Sequence, residues 1–128
     1  MAETTEKLRV VLVEDDRDLA DVTQLALELE GLEVSVAYDG RQALDVIGRV
    51  RPDVVITDLI MPVLDGLQLI ERIRSDPALS SPVVAVSAVG SRLRAARDLG
   101  AADALVKPVH PKELAASARK AWRRGQAA

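Results

Sequence analysis

Residues 53–62 read DVVITDLIMP. Val54, Val55 and Ile56 form a short, unbroken β-branched run, the pattern of a strand buried on both faces, and Asp58 follows almost at once. A carboxylate therefore stands at the C-terminal end of a central strand. In an open parallel sheet that end is where ligands bind, so Asp58 is either a site residue or an acid leaving the core for solvent.

The chain on either side alternates strand and helix signals. Leu8 to Val13 reads as a first buried strand and runs into three acids, Glu14, Asp15 and Asp16. A helix follows with Leu19, Val22, Leu25, Ala26 and Leu29 at helical spacing, stopped at Gly31. Leu32 to Ala37 alternates more strictly, which suits a strand at the sheet edge. Asp39-Gly40 opens a helix that places Ala43, Leu44 and Ile47 on one face. Beyond the central strand, Asp65-Gly66 begins a third helix through Leu67, Ile70 and Ile73, ended by the breaker Ser75-Asp76-Pro77. Pro82 to Ser87 is a fourth strand, Ser91 is a candidate cap for a short helix closed at Leu99-Gly100, and Asp103 to Val106 is a fifth strand. Pro111 suits the first turn of a last helix, whose inward face uses Leu114, Ala118 and either Ala121 or Trp122.

At 128 residues, 48% of them hydrophobic, the chain is long enough for one domain with a proper core and too short for two. Its single domain is expected over residues 1–128, with a core at about 7–124 and short tails. The absence of cysteine excludes disulfides and thiolate metal sites. No basic segment followed by a long apolar stretch opens the chain, and no run approaches the ~20 apolar residues of a membrane span, so a soluble cytoplasmic protein is expected. Charge is lopsided: residues 1–90 hold 17 acids against 8 bases, residues 91–128 hold 3 against 9. An acidic site in one place and a basic docking face in another would produce this, as would an ordinary solvated pattern.

Five strands each followed by a helix argue for an α/β domain with a five-stranded parallel sheet and helices on both faces, in the flavodoxin-like strand order 2-1-3-4-5. In that order the ends of strands one, three, four and five share one edge. Glu14, Asp15, Asp58, Ser87 and Lys107 should converge there. Clustered carboxylates repel unless a cation neutralises them, and hard oxygen donors without histidine or cysteine point to Mg²⁺. Lys107 and Ser87 would complete a cradle for a phosphoryl group, with one carboxylate able to act as nucleophile.

The motifs VLVED at 11–15, DLIMPVLDG at 58–66, VSA at 86–88 and KP at 107–108, in this order and spacing, resemble the CheY-like receiver domain of two-component response regulators. The resemblance covers roughly residues 7 to 124. It implies Asp58 as phosphoacceptor, Asp15 and Glu14 with Asp58 and the Ile60 backbone carbonyl as Mg²⁺ ligands, Ser87 as switch hydroxyl and Lys107 as the phosphoryl's cationic partner. The Lys107-Pro108 peptide is implied to be cis. A histidine kinase or a histidine phosphotransfer protein is the implied phosphodonor, and the chain is expected to catalyse only its own phosphorylation and dephosphorylation. Asp16 matches no metal position and is read as a helix cap. His110, before Pro111, is read as an exposed helix-entry residue, and Trp122 as a partly buried one.

Two departures stand out. The family often has an aromatic three residues before the lysine and another just after Lys-Pro; here these are Ala104 and Val109. Signalling is therefore expected to run through Ser87, the loop from Ala88 to Ser91 and the fourth helix. Arg92, Arg94 and Arg97 with Lys112, Arg119, Lys120, Arg123 and Arg124 give a basic helix 4–strand 5–helix 5 surface, the expected contact for a downstream protein. Asp98, Asp103 and Arg119 form part of a pattern for a homodimer. No nucleic-acid-binding motif or membrane contact is read in the chain, which is either a stand-alone receiver or a piece of a longer regulator. Two rivals are a haloacid-dehalogenase-like phosphohydrolase, which wants a second Asp where Ile60 stands, and a phosphorylation-independent module, whose usual mark is loss of the acids retained here.

Overall fold

The computed structural model describes residues 7–127; residues 1–6 and 128, parts of the expected tails, lie outside the described residues. Strands β1 (Arg9–Val13), β2 (Glu33–Ala37), β3 (Val54–Asp58), β4 (Val83–Ser87) and β5 (Asp103–Val106) alternate with helices α1 (Arg17–Leu29), α2 (Gly40–Val50), α3 (Gly66–Ser75), α4 (Gly90–Asp98) and α5 (Pro111–Ala127). All strand pairs are parallel and the order is β2-β1-β3-β4-β5. This is the expected α/β architecture, with β2 at an edge.

Strand alternation divides the apolar side chains between two layers. Val11, Val13, Val55 and Ala85 face α2, α3 and α4, where Ala43, Ile47, Ile70, Ile73, Leu93 and Ala96 meet them. Val10, Leu12, Val54, Ile56, Val84 and Val86 face α1 and α5, meeting Leu27, Leu114, Ala115 and Ala118. The central strands are buried on both faces, and each fully buried Val or Ile contributes about 1.5–3 kcal/mol relative to exposure. Alanines at 115, 118 and 121 bring the α5 backbone close to the sheet, so Ala121 completes its inward face while Trp122 stays 36% exposed.

One expectation, the Ser91 cap, needs correction, and α1 buries a face other than that of Leu19, Val22, Leu25 and Leu29. The apolar stripe of α1 does not face the core: Val22, Leu25 and Leu29 are 65%, 60% and 79% exposed and Leu19 is exposed as well. The helix seats on the sheet through Ala20 and Leu27 instead. Nor does Ser91 cap α4. That helix starts at Gly90, with Val89 at the N-cap position and no side-chain hydrogen bond there. In contrast, Asp16 caps α1 through Leu19 N–H, Asp39 caps α2, and Asp65 and Gln68 form a reciprocal capping box on α3. The α4 entrance lacks the ~1 kcal/mol that such a cap contributes.

Gly66 has a specific steric duty. A methyl group built on it would overlap the Asp58 carbonyl oxygen and the Leu59 backbone. Only glycine lets α3 start hard against the end of β3, where Asp58 sits.

Candidate functional site

Each strand end delivers one chemical group. β1 ends at Val13 and hands over Glu14, whose N–H is tied to Ala37 O at 3.0 Å and whose side chain is buried. Asp15 follows, exposed. β3 ends in Asp58 and β4 in Ser87, which is 1% exposed. Past β5, Lys107 N–H donates to Ser87 O at 3.0 Å, and the Lys107-Pro108 peptide is cis as expected.

The side chains converge as the strand order demands. Glu14, Asp15 and Asp58 each place a carboxylate oxygen within 4.8 Å of the others. Lys107 Nζ donates to Asp58 Oδ2 at 2.8 Å and to Glu14 Oε1 at 3.4 Å. Asp58 Oδ1 accepts from Ile60 N–H at 3.1 Å, and Glu14 Oε2 accepts from Asp16 N–H at 3.2 Å. Ser87 lies at the same edge, one residue beyond the Asp58–Val86 register pair, and its Oγ accepts from Val89 N–H at 3.1 Å.

Crowding shows in the proton affinities. Burial, with the nearby Asp58 charge, raises the Glu14 carboxyl above its ordinary value, against the opposing pull of Asp16 N–H and Lys107. For Lys107, burial works against the charge, but the hydrogen bond and charge of Asp58 outweigh it with help from Glu14, and its affinity rises. One ammonium thus serves two of three acids. The donor set is all hard oxygen with surplus negative charge, which fits a small divalent cation such as Mg²⁺.

A family model described as the response regulator receiver domain matches residues 10–119. The chain belongs to the response regulator receiver domain family. Among curated proteins, the DNA-binding response regulator MtrA of Mycolicibacterium smegmatis is 35% identical over 124 residues, covering 95% of this chain and 54% of that protein. The response regulator MprA of Mycolicibacterium vanbaalenii is 40% identical over 119 residues, covering 91% of this chain and 51% of that one. The chain therefore spans about half the length of the curated relatives it matches. Among solved structures, the chemotaxis protein CheY4 of Vibrio cholerae superposes with a TM-score of 0.82 at 27% identity, over 91% of this chain and 99% of that one.

As a receiver domain of two-component signalling, the chain carries its departures in plain view. Ala104 is buried, and Arg97 of α4 reaches over it: Arg97 Nη2 donates to Ala104 O at 3.1 Å and lies 3.6 Å from Asp103 Oδ1. That bridge was not legible in the sequence. Asp103 also accepts from Ser117 Oγ at 2.6 Å, and Arg119 Nη2 donates to Glu30 O at 2.6 Å, at the C-terminus of α1. Two of the three residues suggested for a two-fold interface are thus engaged within the fold. His110 is exposed at the entrance to α5, where its Nδ1 accepts from Lys112 N–H at 3.1 Å. No helix among the described residues is long and apolar enough to cross a membrane. A hollow of 690 Å³ between α2 and α3, beside Leu44 and Gln68, contains none of the site residues.

Proposed function

We propose that this receiver domain accepts a phosphoryl group on Asp58 from a histidine kinase or histidine phosphotransfer protein. The reading is carried by one observation: three carboxylates within 4.8 Å at the sheet's C-terminal edge, one of them, Asp58, bonded to Lys107 at 2.8 Å. An Asp58 carboxylate oxygen forms the new P–O bond as the donor's P–N bond breaks, and the imidazole nitrogen leaves with the electron pair. Glu14, Asp15 and Asp58, with the Ile60 carbonyl, would hold Mg²⁺, which supplies positive charge against the acids and the phosphoryl oxygens. Lys107 pairs with the phosphoryl oxygens once its bond to the free Asp58 oxygen is given up.

Ser87 is the switch hydroxyl. Its Oγ accepts from Val89 N–H, so turning toward the phosphoryl group would release the residue that stands at the uncapped entrance of α4. Movement of the 88–91 loop and α4 then reaches β5 through Arg97 and Ala104, in place of an aromatic relay. Output passes to a downstream protein at the basic α4–β5–α5 surface.

The test is an amide NMR comparison of the Mg²⁺ form before and after adding beryllofluoride, a phosphoryl mimic. Large shifts are expected at Asp58, Ser87, Lys107, the 88–91 loop and α4. Shifts confined to the acids, with α4 unmoved, would overturn this route.

A further inference from the structure

Thr57, the residue before the acceptor, is polar yet fully buried. Strand alternation puts it on the same sheet face as Val55, toward the apolar residues of α2 and α3, where a valine would serve without any polar group. Its hydroxyl donates to the Asp58 carbonyl oxygen at 2.8 Å. Around that bond, Leu59 N–H donates to Val86 O at 3.1 Å, Gly66 N–H donates to Leu59 O at 3.0 Å, and Ile60 N–H donates to Asp58 Oδ1 at 3.1 Å. Every N–H and C=O of the peptide groups 58–59 and 59–60 is therefore held. Because an amide group is planar, each bond fixes both ends of its unit. Ile60 N–H is aimed at the acceptor carboxylate, and of the other groups only the Asp58 carbonyl is held by a side chain.

We propose that Thr57 is a positioning residue for the acceptor site: its hydroxyl sets the direction of the Asp58 carbonyl and so holds the 58–60 turn, which aims Ile60 N–H at the Asp58 carboxylate and carries the Ile60 carbonyl. Its effect on Mg²⁺ through that carbonyl rests on the reading under Proposed function; its effect on the Ile60 N–H does not. Without the hydroxyl the Asp58 carbonyl is left short of a partner, and it can regain one only by turning its peptide plane, which carries Leu59 and Ile60 with it. Gly66 crowds the same oxygen from the α3 side, so the turn cannot be absorbed there. Threonine also suits a strand through its branched Cβ, a packing role that requires no hydrogen bond. Thr57→Val keeps the branch and removes the hydroxyl, whereas Thr57→Ser keeps the hydroxyl and removes the methyl, so the pair separates positioning from packing.

The test is amide NMR of the metal-free protein followed by titration with Mg²⁺. In Thr57→Val the Ile60 amide proton moves upfield as its bond to Asp58 Oδ1 is lost, and Mg²⁺ binds about 10–100-fold more weakly, the usual effect of removing a group that orients a metal ligand. Thr57→Ser restores both. Ser81→Ala is the control: its buried hydroxyl also donates to a carbonyl, Pro52 O at 2.6 Å, but at the opposite end of the sheet, so its loss lowers the urea midpoint and leaves Mg²⁺ affinity unchanged. An unmoved Ile60 amide with undiminished Mg²⁺ affinity in Thr57→Val would overturn the proposal. So would a Thr57→Ser variant as impaired as Thr57→Val, or an equal loss of affinity in Ser81→Ala, since either would make the effect one of packing or stability. Absence of Mg²⁺ binding in the unmodified protein would count against the Mg²⁺ reading, and the Ile60 amide of the metal-free variants would still decide the role of Thr57.

Discussion

Ser117 Oγ of α5 donates a 2.6 Å hydrogen bond to Asp103 Oδ2 of β5. Burial alone would raise the Asp103 carboxyl, but Ser117, the Ala104 N–H and the charges of Arg97 and Lys120 together hold it below its ordinary value of 3.8. A carboxyl depressed by folding stabilises the fold above its unfolded pKa, and that contribution is lost as pH falls through the folded value. Ser117→Ala should therefore return the Asp103 pKa toward 3.8 and lower stability near neutral pH by roughly 1 kcal/mol, modest because the carboxylate is partly exposed. The difference from the unmodified protein should shrink once the pH passes below 3.8. Carboxyl carbon NMR titration and urea melts across this range measure both effects.

Gly66 makes a sharper prediction. Its backbone touches the Asp58 carbonyl region so closely that a methyl group must displace the end of β3 or the start of α3. Gly66→Ala should cost about 2–3 kcal/mol, read as a lowered urea midpoint, and should slow phosphoryl loading because the displaced strand end carries Asp58. Gly125→Ala, where nothing lies within 4 Å of an added methyl, is the control and should leave loading unchanged.

Val63 holds a positive φ of 70°, in the left-handed region that β-branched residues resist, and its side chain is 74% exposed. No core packing offsets the strain. Val63→Asn should stabilise the protein by about 1 kcal/mol, because asparagine tolerates this conformation. Chemical denaturation checks it.

The lifetime of the phosphorylated state follows from what flanks Asp58 and Ser87. Ile60 and Val89 are both exposed and apolar, and neither side chain can orient or activate a water molecule. The acyl phosphate should persist for minutes or longer in Mg²⁺ buffer. Decay within seconds, followed by intact mass, would contradict this.

Much of the fold was legible because its signals are local. Short apolar runs at 54–56 and 83–86, rich in β-branched residues, fit strands buried on both faces of a parallel sheet, and Asp16, Asp39 and Asp65 announce helix starts through their own side chains. Strand order then accounts for the meeting of Glu14, Asp15, Asp58 and Lys107, since parallel strands deliver their ends to one edge. The orientation of α1 was not legible, because Leu19, Val22, Leu25 and Leu29 have helical spacing whichever way they point. Seating through Ala20 and Leu27 depends on how close the helix lies to the sheet, which no periodicity encodes. Ser91 looked like a cap by residue type, but Ser87 takes the Val89 N–H and the helix begins two residues earlier than that cap requires. Arg97 over Ala104 and Arg119 on Glu30 O join segments far apart in the chain through long, flexible side chains, and nothing in their local sequence marks those partners.

The central claim is that Asp58 is the phosphoacceptor, and intact mass after incubation with acetyl phosphate and Mg²⁺ tests it most directly. The unmodified protein should gain the mass of a single phosphoryl group, and Asp58→Ala should gain none. An adduct that persists in Asp58→Ala, or no adduct under conditions that load a control receiver, would contradict the account.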